Sequence, residues 1–253
     1  MTAVKRVATW LGLPVALVAV WWIASAGSTD FYRPSLQRIM RAFAETWFGP
    51  RLVDEVLPSL LRLAAGYAIA LVLGVALGVA IGSRPRLRAF TEPVLEFSRA
   101  IPPPILVPVI MLFAGFETSM KVIVIVFGCL WPILLNTVEG VRAVDDVLVD
   151  TCRVYQVKPL RHLTVQAASP QIMTGARQAL AIGIILMVIS EMVAANNGLG
   201  YTVVQFQRGF QIPEMWSGVL LLGLIGVALA GIFNLAERRV LGWYHGSRDA
   251  DRR

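Results

Sequence analysis

Stretches free of charge constrain this chain more than any other feature. Between Arg6 and Asp30 lie 23 residues without Asp, Glu, Lys or Arg, and between Arg62 and Arg84 lie 21. Arg99 to Glu117 and Lys121 to Glu139 each enclose 17, and Glu214 to Glu237 encloses 22. A spanning helix needs roughly 20 mainly apolar residues, since all its backbone polar groups must be paired within the segment. A sixth stretch, about 179–195, is equally apolar but carries Glu191. The pattern predicts an all-α polytopic membrane protein with six transmembrane helices. Composition agrees: 57% of residues are hydrophobic and only 15% charged, where a soluble domain carries about a quarter charged. Water-soluble and disordered classes are excluded, because too little polar surface exists to cover such a core.

The formal net charge of +7 would suggest nucleic acid in a soluble protein. In a membrane protein the cations belong to loops, and no nucleic-acid partner is expected. With both termini in the cytoplasm, 16 Lys and Arg residues fall inside and 7 outside (Arg33, Arg38, Arg41, Arg51, Arg62, Lys121 and Arg208). That asymmetry sets the expected orientation. The organisation read from it is an N-terminal transmembrane helix over 1–29 and an amphipathic outer segment over 30–58. A five-helix core covers 59–240, with a cytoplasmic loop at about 143–172, and a basic tail covers 241–253. The first span has a second reading. Lys5, Arg6, an apolar run and Ala24-Ser25-Ala26 also fit a cleavable signal peptide, whereas Trp21-Trp22 fits the interfacial anchor of a retained helix.

Three local patterns refine the picture. Gly66, Gly74, Gly78 and Gly82 fall at multiples of four within the second span, a ridge that admits close approach of another helix. Leu36, Ile39, Met40, Phe43 and Trp47 recur at helical spacing with Arg38, Arg41 and Glu45 between them. They predict an amphipathic helix at the outer interface, for anchoring or for solute contact. In the long loop, Val144, Val147, Leu148, Thr151 and Tyr155 share one helical face. Three early aspartates and the later Arg153 and Lys158 suit the helix dipole, and Pro159 predicts its end. A loop of this length is organised for a purpose. Its aspartates disfavour an anionic leaflet, so the expected occupant of the helix face is a protein.

From here the chain reads Asp150-Thr151-Cys152-Arg153-Val154-Tyr155-Gln156-Val157, then Ala168-Ser169-Pro170-Gln171-Ile172 and Gly175-Ala176-Arg177. This resembles the coupling-loop signature of ABC-importer permeases. Ser59-Leu60-Leu61-Arg62 with Gly66, Arg99-Ala100-Ile101-Pro102-Pro103 with Pro108, Leu134-Leu135-Asn136-Thr137 with Gly140, Ser190-Glu191-Met192 and Gly198-Leu199-Gly200-Tyr201 extend the resemblance from Ser59 to the last helix. It is nearest the nitrate, taurine and alkanesulfonate permeases. Asp150, Thr151 and Cys152 depart from the family's Glu-Ala-Ala, and Gln156 stands where a glycine is common; the missing glycine removes a left-handed turn option.

The resemblance implies the type I importer permease fold, a homodimer, two cytoplasmic ATP-binding subunits and an extracytoplasmic solute-binding protein, in the inner membrane. Asp150 to Val157, with Pro170 and Gly175, would couple to the ATPase. Pro102, Pro103, Asn136, Glu191 and Met192 would belong to the pathway or its gate. The cargo would be a small organic anion such as a sulfonate or taurine, or nitrate, moved by alternating access. ATP and magnesium would bind the partner ATPase, since this chain has no Gly-x-x-x-x-Gly-Lys-[Ser/Thr] loop. No catalytic group, cofactor or metal site is expected here: His162 and His245 are far apart and only Cys129 and Cys152 are present. The alternative is an ATP-independent secondary transporter or channel.

Two features keep double readings. Glu191, costly at mid-membrane, fits either a lining residue or a structural carboxylate held at a helix end by the Asn196-Asn197-Gly198 turn. The run Pro102, Pro103, Pro104 and Pro108 fits either a hinge or a rigid non-helical start, with polar compensation from Ser98 or a facing helix.

Overall fold

A computed structural model describes residues 3–144, 146–155 and 160–243, and among these the regular structure is all helix, with no strand. The helices run α1 (Ala3–Ser25), α2 (Leu36–Trp47), α3 (Leu57–Gly82), α4 (Pro85–Ala100), α5 (Leu106–Ala114), α6 (Thr118–Arg142), α7 (Asp146–Val154), α8 (Leu160–Ala194), α9 (Leu199–Arg208) and α10 (Ile212–Val240). A π-helical turn, Leu52–Val56, leads into α3. By length and composition four helical stretches can cross a membrane: Leu52–Gly82, Thr118–Arg142, Val165–Ala194 and Ile212–Val240.

Of the other two expected spans, the third departs from a single helix at the break that its proline run predicts. The third is α4 and α5, bent by 79° at the proline run. Pro102, Pro103 and Pro104 have no N–H to place, so the chain can only restart a helix there, through the short turn Pro103–Ile105. The freed carbonyls are met by backbone: Ile101 N donates to Ser98 O at 3.4 Å and Ile105 N to Pro102 O at 3.0 Å. The Ile101 N–H thus meets the Ser98 carbonyl that Pro102 leaves free. The first is α1, a single helix of 23 residues, Ala3–Ser25, apolar over Gly12–Ser25. The six-span count therefore reads, among the described residues, as four spans, one broken pair and the N-terminal helix α1.

The loop expected at about 143–172 is also more helical than anticipated. It holds α7, and then α8 begins at Leu160 and continues for 35 residues, roughly 52 Å at 1.5 Å per residue. Pro170 sits inside α8 and cannot donate to the carbonyl four residues back. The Ser169 hydroxyl donates to Gln166 O at 2.7 Å instead, which explains how the helix passes through proline. Pro159, the expected helix end, lies outside the described residues; α7 ends at Val154.

The core is a three-helix seam of α3, α6 and α8. Gly66 faces Ile125, Gly74 faces Ile133, Gly78 faces Thr137 and Gly82 faces Val141, each pair 59 residues apart in sequence. A constant offset means that α3 and α6 run parallel and in register. A methyl added to Gly78 would sit 2.5 Å from Thr137 Cβ and 2.9 Å from the Leu134 carbonyl, so the seam requires bare backbone there. Helix α8 runs antiparallel along α6. Gly140 meets Gln171 and Ala168, Gly175 meets Pro132 O and Asn136, and Gly183 meets Cys129 Sγ; the Cys129 thiol also donates to Ala179 O at 3.2 Å.

Helix α2 is amphipathic as expected, but protein takes up its buried stripe. Ile39 and Trp47 are each 1% exposed, Trp47 Nε1 donates to Ser217 Oγ of α10 at 3.0 Å, and its ring meets Phe206 edge-on at 6.3 Å. Arg38, Arg41 and Glu45 lie exposed.

Candidate functional site

At the end of the seam where α3 starts and α8 finishes, charge is fully enclosed. Glu191 is completely buried and Arg62 is 6% exposed. Arg62 Nη1 donates to Glu191 Oε1 at 2.7 Å. Ser59 Oγ lies 2.8 Å from both carboxylate oxygens and 3.1 Å from Glu55 O, so its single proton serves one acceptor at a time. Gly200 N completes the carboxylate's set at 3.1 Å. Arg62 also reaches Asn197, donating to its carbonyl at 3.1 Å and its side-chain oxygen at 2.5 Å. Glu55 accepts from Gly198 N at 2.6 Å, and Ser59 Oγ accepts from Leu199 N at 2.9 Å. Additional hydrogen bonds of this kind make a buried ion pair tolerable; of the Arg62 nitrogens, only Nε is left without a partner.

The turn after α8 makes this cap possible. Gly198 adopts φ +120°, and a Cβ there would fall 2.5 Å from Glu191 Cδ. Gly200 lets the α9 backbone close on Glu191 itself, whose Cβ would lie 2.9 Å from an added methyl. Lys121, at the start of α6, is 4% exposed and donates to Phe116 O at 2.8 Å. Arg62 and Lys121, counted from sequence as loop cations, are therefore buried in the fold. Glu191 accepts one backbone donor, Gly200 N, and side-chain donors from Ser59 and Arg62; Ser59 and Arg62 are the partners that sequence reasoning did not assign to it. The available signal was a serine and an arginine one turn apart at the start of one span, with a lone carboxylate near the end of another.

The remaining pathway candidates separate in space. Pro103 and Asn136 line a second feature, a cavity of about 290 Å³ beneath the α4–α5 break. Pro102 opens the adjoining turn, Met192 is 41% exposed beside the cap, and Glu191 is no part of the cavity. The cavity wall also includes Ser98, Arg99, Trp131 and Gln178, of which only Ser98 had been given a role from sequence. Asn136 Nδ2 donates to Pro132 O at 2.8 Å and Gln178 Oε1 at 3.3 Å. Arg99 forms an i,i+3 pair with Glu96 at 2.6 Å, both more than half exposed.

The coupling candidates lie at the opposite end of the seam from the cap. Along α7, Val147, Val154 and Tyr155 are 70%, 78% and 76% exposed, whereas Cys152 is buried. Thr151 Oγ1 donates to Val147 O at 2.7 Å, and Asp150 is exposed. The Arg153 side chain, Gln156 and Val157 lie outside the described residues. Pro170 and Gly175 belong to α8, Gly175 pressed on α6. Arg177 ties α8 to α10 through Asn234 at 2.5 Å and through Glu237. Among the described residues no group of three His, Cys, Asp or Glu side chains could hold a metal ion.

Comparison with known proteins joins these features. A family model described as the inner membrane component of binding-protein-dependent transport systems matches residues 52–242. SsuC of Bacillus subtilis (strain 168), named for aliphatic sulfonate transport, is 26% identical over 236 residues, covering 91% of this chain and 86% of its own. SsuC of Escherichia coli (strain K12) is 30% identical over 252 residues, covering 95% and 94%. In fold, the chain superimposes with TM-score 0.62 and 20% identity on a chain of the MetNI methionine ABC transporter in inward-facing conformations, over 75% of this chain and 95% of that one. With the seam, the cap and the exposed α7 all inside or beside the matched residues, this chain belongs to the binding-protein-dependent transport family as the membrane-embedded permease of an ABC transporter.

Proposed function

We propose that the chain carries aliphatic sulfonates, taurine among them, from periplasm to cytoplasm as half of a homodimeric permease. Two cytoplasmic ATPase subunits bind and hydrolyse ATP with magnesium, and an extracytoplasmic protein delivers the solute. Both chain termini face the cytoplasm, which puts α7 on the cytoplasmic side and the Arg62–Glu191 cap outside. The observation that carries the reading is the exposed apolar face of α7, within the matched family region and at the end of α6. Val147, Val154 and Tyr155 present an amphipathic surface of the kind that seats in a partner's groove. ATP-driven closure of the ATPase pair would draw the two α7 helices together, and the rigid α3–α6–α8 seam would transmit that motion to the pathway. Alternating access follows if the two arrangements bind nucleotide and solute-binding protein unequally.

The test is twofold. Purified gently from its host, the chain should bring an ATPase subunit with it, and Asp150→Lys or Tyr155→Glu should abolish that association and the uptake of a radiolabelled alkanesulfonate into proteoliposomes that hold ATP inside and solute-binding protein outside. Uptake that persists without nucleotide, or survives both substitutions, would overturn the reading.

A further inference from the structure

We propose that the cavity beneath the α4–α5 break is an oxyanion-binding site for a short-chain organic sulfonate, with Arg99 as its charged anchor. The inference rests on the sulfonate reading above and names the residues that would hold the cargo within the membrane. Its basis is a count of donors left over. Asn136 spends its Nδ2 protons on Pro132 O and on Gln178 Oε1. That second bond occupies the oxygen of Gln178, a residue of the cavity wall, and leaves its amide nitrogen as a donor. Ser98 adds a hydroxyl to the wall. Trp131, in the same wall, keeps a buried Nε1–H without a hydrogen-bond partner, a group that costs free energy until an acceptor reaches it.

Charge points the same way. Among the described residues Arg99 is the one ionisable side chain lining the cavity, and no carboxylate lines it. Its present partner, Glu96, sits outside the lining in an exposed i,i+3 pair, the kind that contributes little and is readily exchanged. An oxyanion entering the cavity could take the guanidinium's planar donor fork in place of Glu96. Ile101, Pro103 and Ile182 complete the wall, giving an apolar bed for a few methylenes beside the charged end. A cavity of about 290 Å³ stands at the small limit of ligand sites, which selects a compact anion over an aromatic acid of larger girth. The contrast with the cap is the argument in brief: there the cation already holds a carboxylate, whereas here Arg99 and the unpaired Trp131 indole N–H line an open space.

The chain, purified with its ATPase subunit in lipid nanodiscs, is titrated calorimetrically with 1-butanesulfonate, with butyl methyl sulfone as an uncharged isostere, and with butyltrimethylammonium. Saturable sulfonate binding is expected, about tenfold tighter than the sulfone, with none for the cation. Arg99→Gln should weaken sulfonate binding about tenfold and leave the sulfone unchanged; Arg99→Lys should restore part of the loss. Gln178→Leu should weaken the sulfonate about threefold, and this variant decides the matter if Arg99→Gln does not fold. Wild-type protein that binds sulfone and sulfonate equally, or no sulfonate at all, overturns the site, as does an Arg99→Gln protein of undiminished affinity. An ATPase that fails to co-purify counts against the proposed assembly instead, and the titration is then read on the permease alone.

Discussion

Helices α3 and α10 are equally greasy as sequences, yet the fold treats them as opposites. Along α3, four glycines at multiples of four each receive a side chain of α6, and backbone approaches backbone. Along α10, Gly223, Gly226 and Gly231 have nothing within 4 Å, and its most apolar window contributes no buried residue. The difference is one of spacing rather than hydropathy. Lipid is as apolar as leucine, so membrane helices associate where small residues permit close dispersion contact. Steps of four align such residues on one ridge; the steps of three and five on α10 scatter them around the helix.

The comparison can be broken in order of expected effect. The largest concerns the cap that locks the end of the seam: Glu191→Ala should destabilise the protein by about 3–5 kcal/mol by leaving Arg62 buried and unpaired. Equilibrium unfolding in detergent measures this, and the double change Arg62→Met, Glu191→Leu should recover most of it. A loss under about 1 kcal/mol for the single change would mean that water already reaches the pair. Next, Gly78→Leu should cost about 2–3 kcal/mol or prevent folding, while Gly226→Leu should be neutral or stabilising by up to about 1 kcal/mol. Similar melting shifts for the two would erase the distinction drawn here. Gly198→Ala, strained at its positive φ and crowded by Glu191, should cost about 1–3 kcal/mol. Trp47→Phe, which leaves Ser217 without its indole donor, should cost about 1 kcal/mol. Arg99→Gln comes last: an exposed pair is lost, so the unfolding midpoint should move by less than about 0.5 kcal/mol even where sulfonate binding falls.

A second contrast, between the cap and the cavity, separates two meanings of a polar residue inside a membrane protein. Glu191 was conspicuous in sequence because it interrupts an apolar run, and it proves to be enclosed by Ser59, Arg62 and Gly200. Arg99, Trp131 and Gln178 were inconspicuous, because each sits at the margin of a run or reads as an ordinary helix residue. They share a cavity only because the proline break turns α4 away from α5 and opens space beside α6 and α8. Asn136 and Pro103 were legible as pathway candidates through the resemblance alone; their neighbours were not.

What the linear chain determined by itself is whatever depends on short-range periodicity and hydration: which stretches can enter lipid, where the cations gather, that α3 carries a small-residue ridge, that α2 is amphipathic, and that proline interrupts the third span. Tertiary structure decided the rest. It chose α6 as the partner of the glycine ridge, carried α8 through Pro170 by way of the Ser169 hydroxyl, and brought residues 59, 62, 191 and 200 onto one carboxylate. The glycine ridge meets α6 across 59 residues of chain, and the carboxylate meets Ser59 and Arg62 across 132 and 129. In such contacts the free energy resides in the fit of facing surfaces and the pairing of buried polar groups, neither of which is written in the local order of residues.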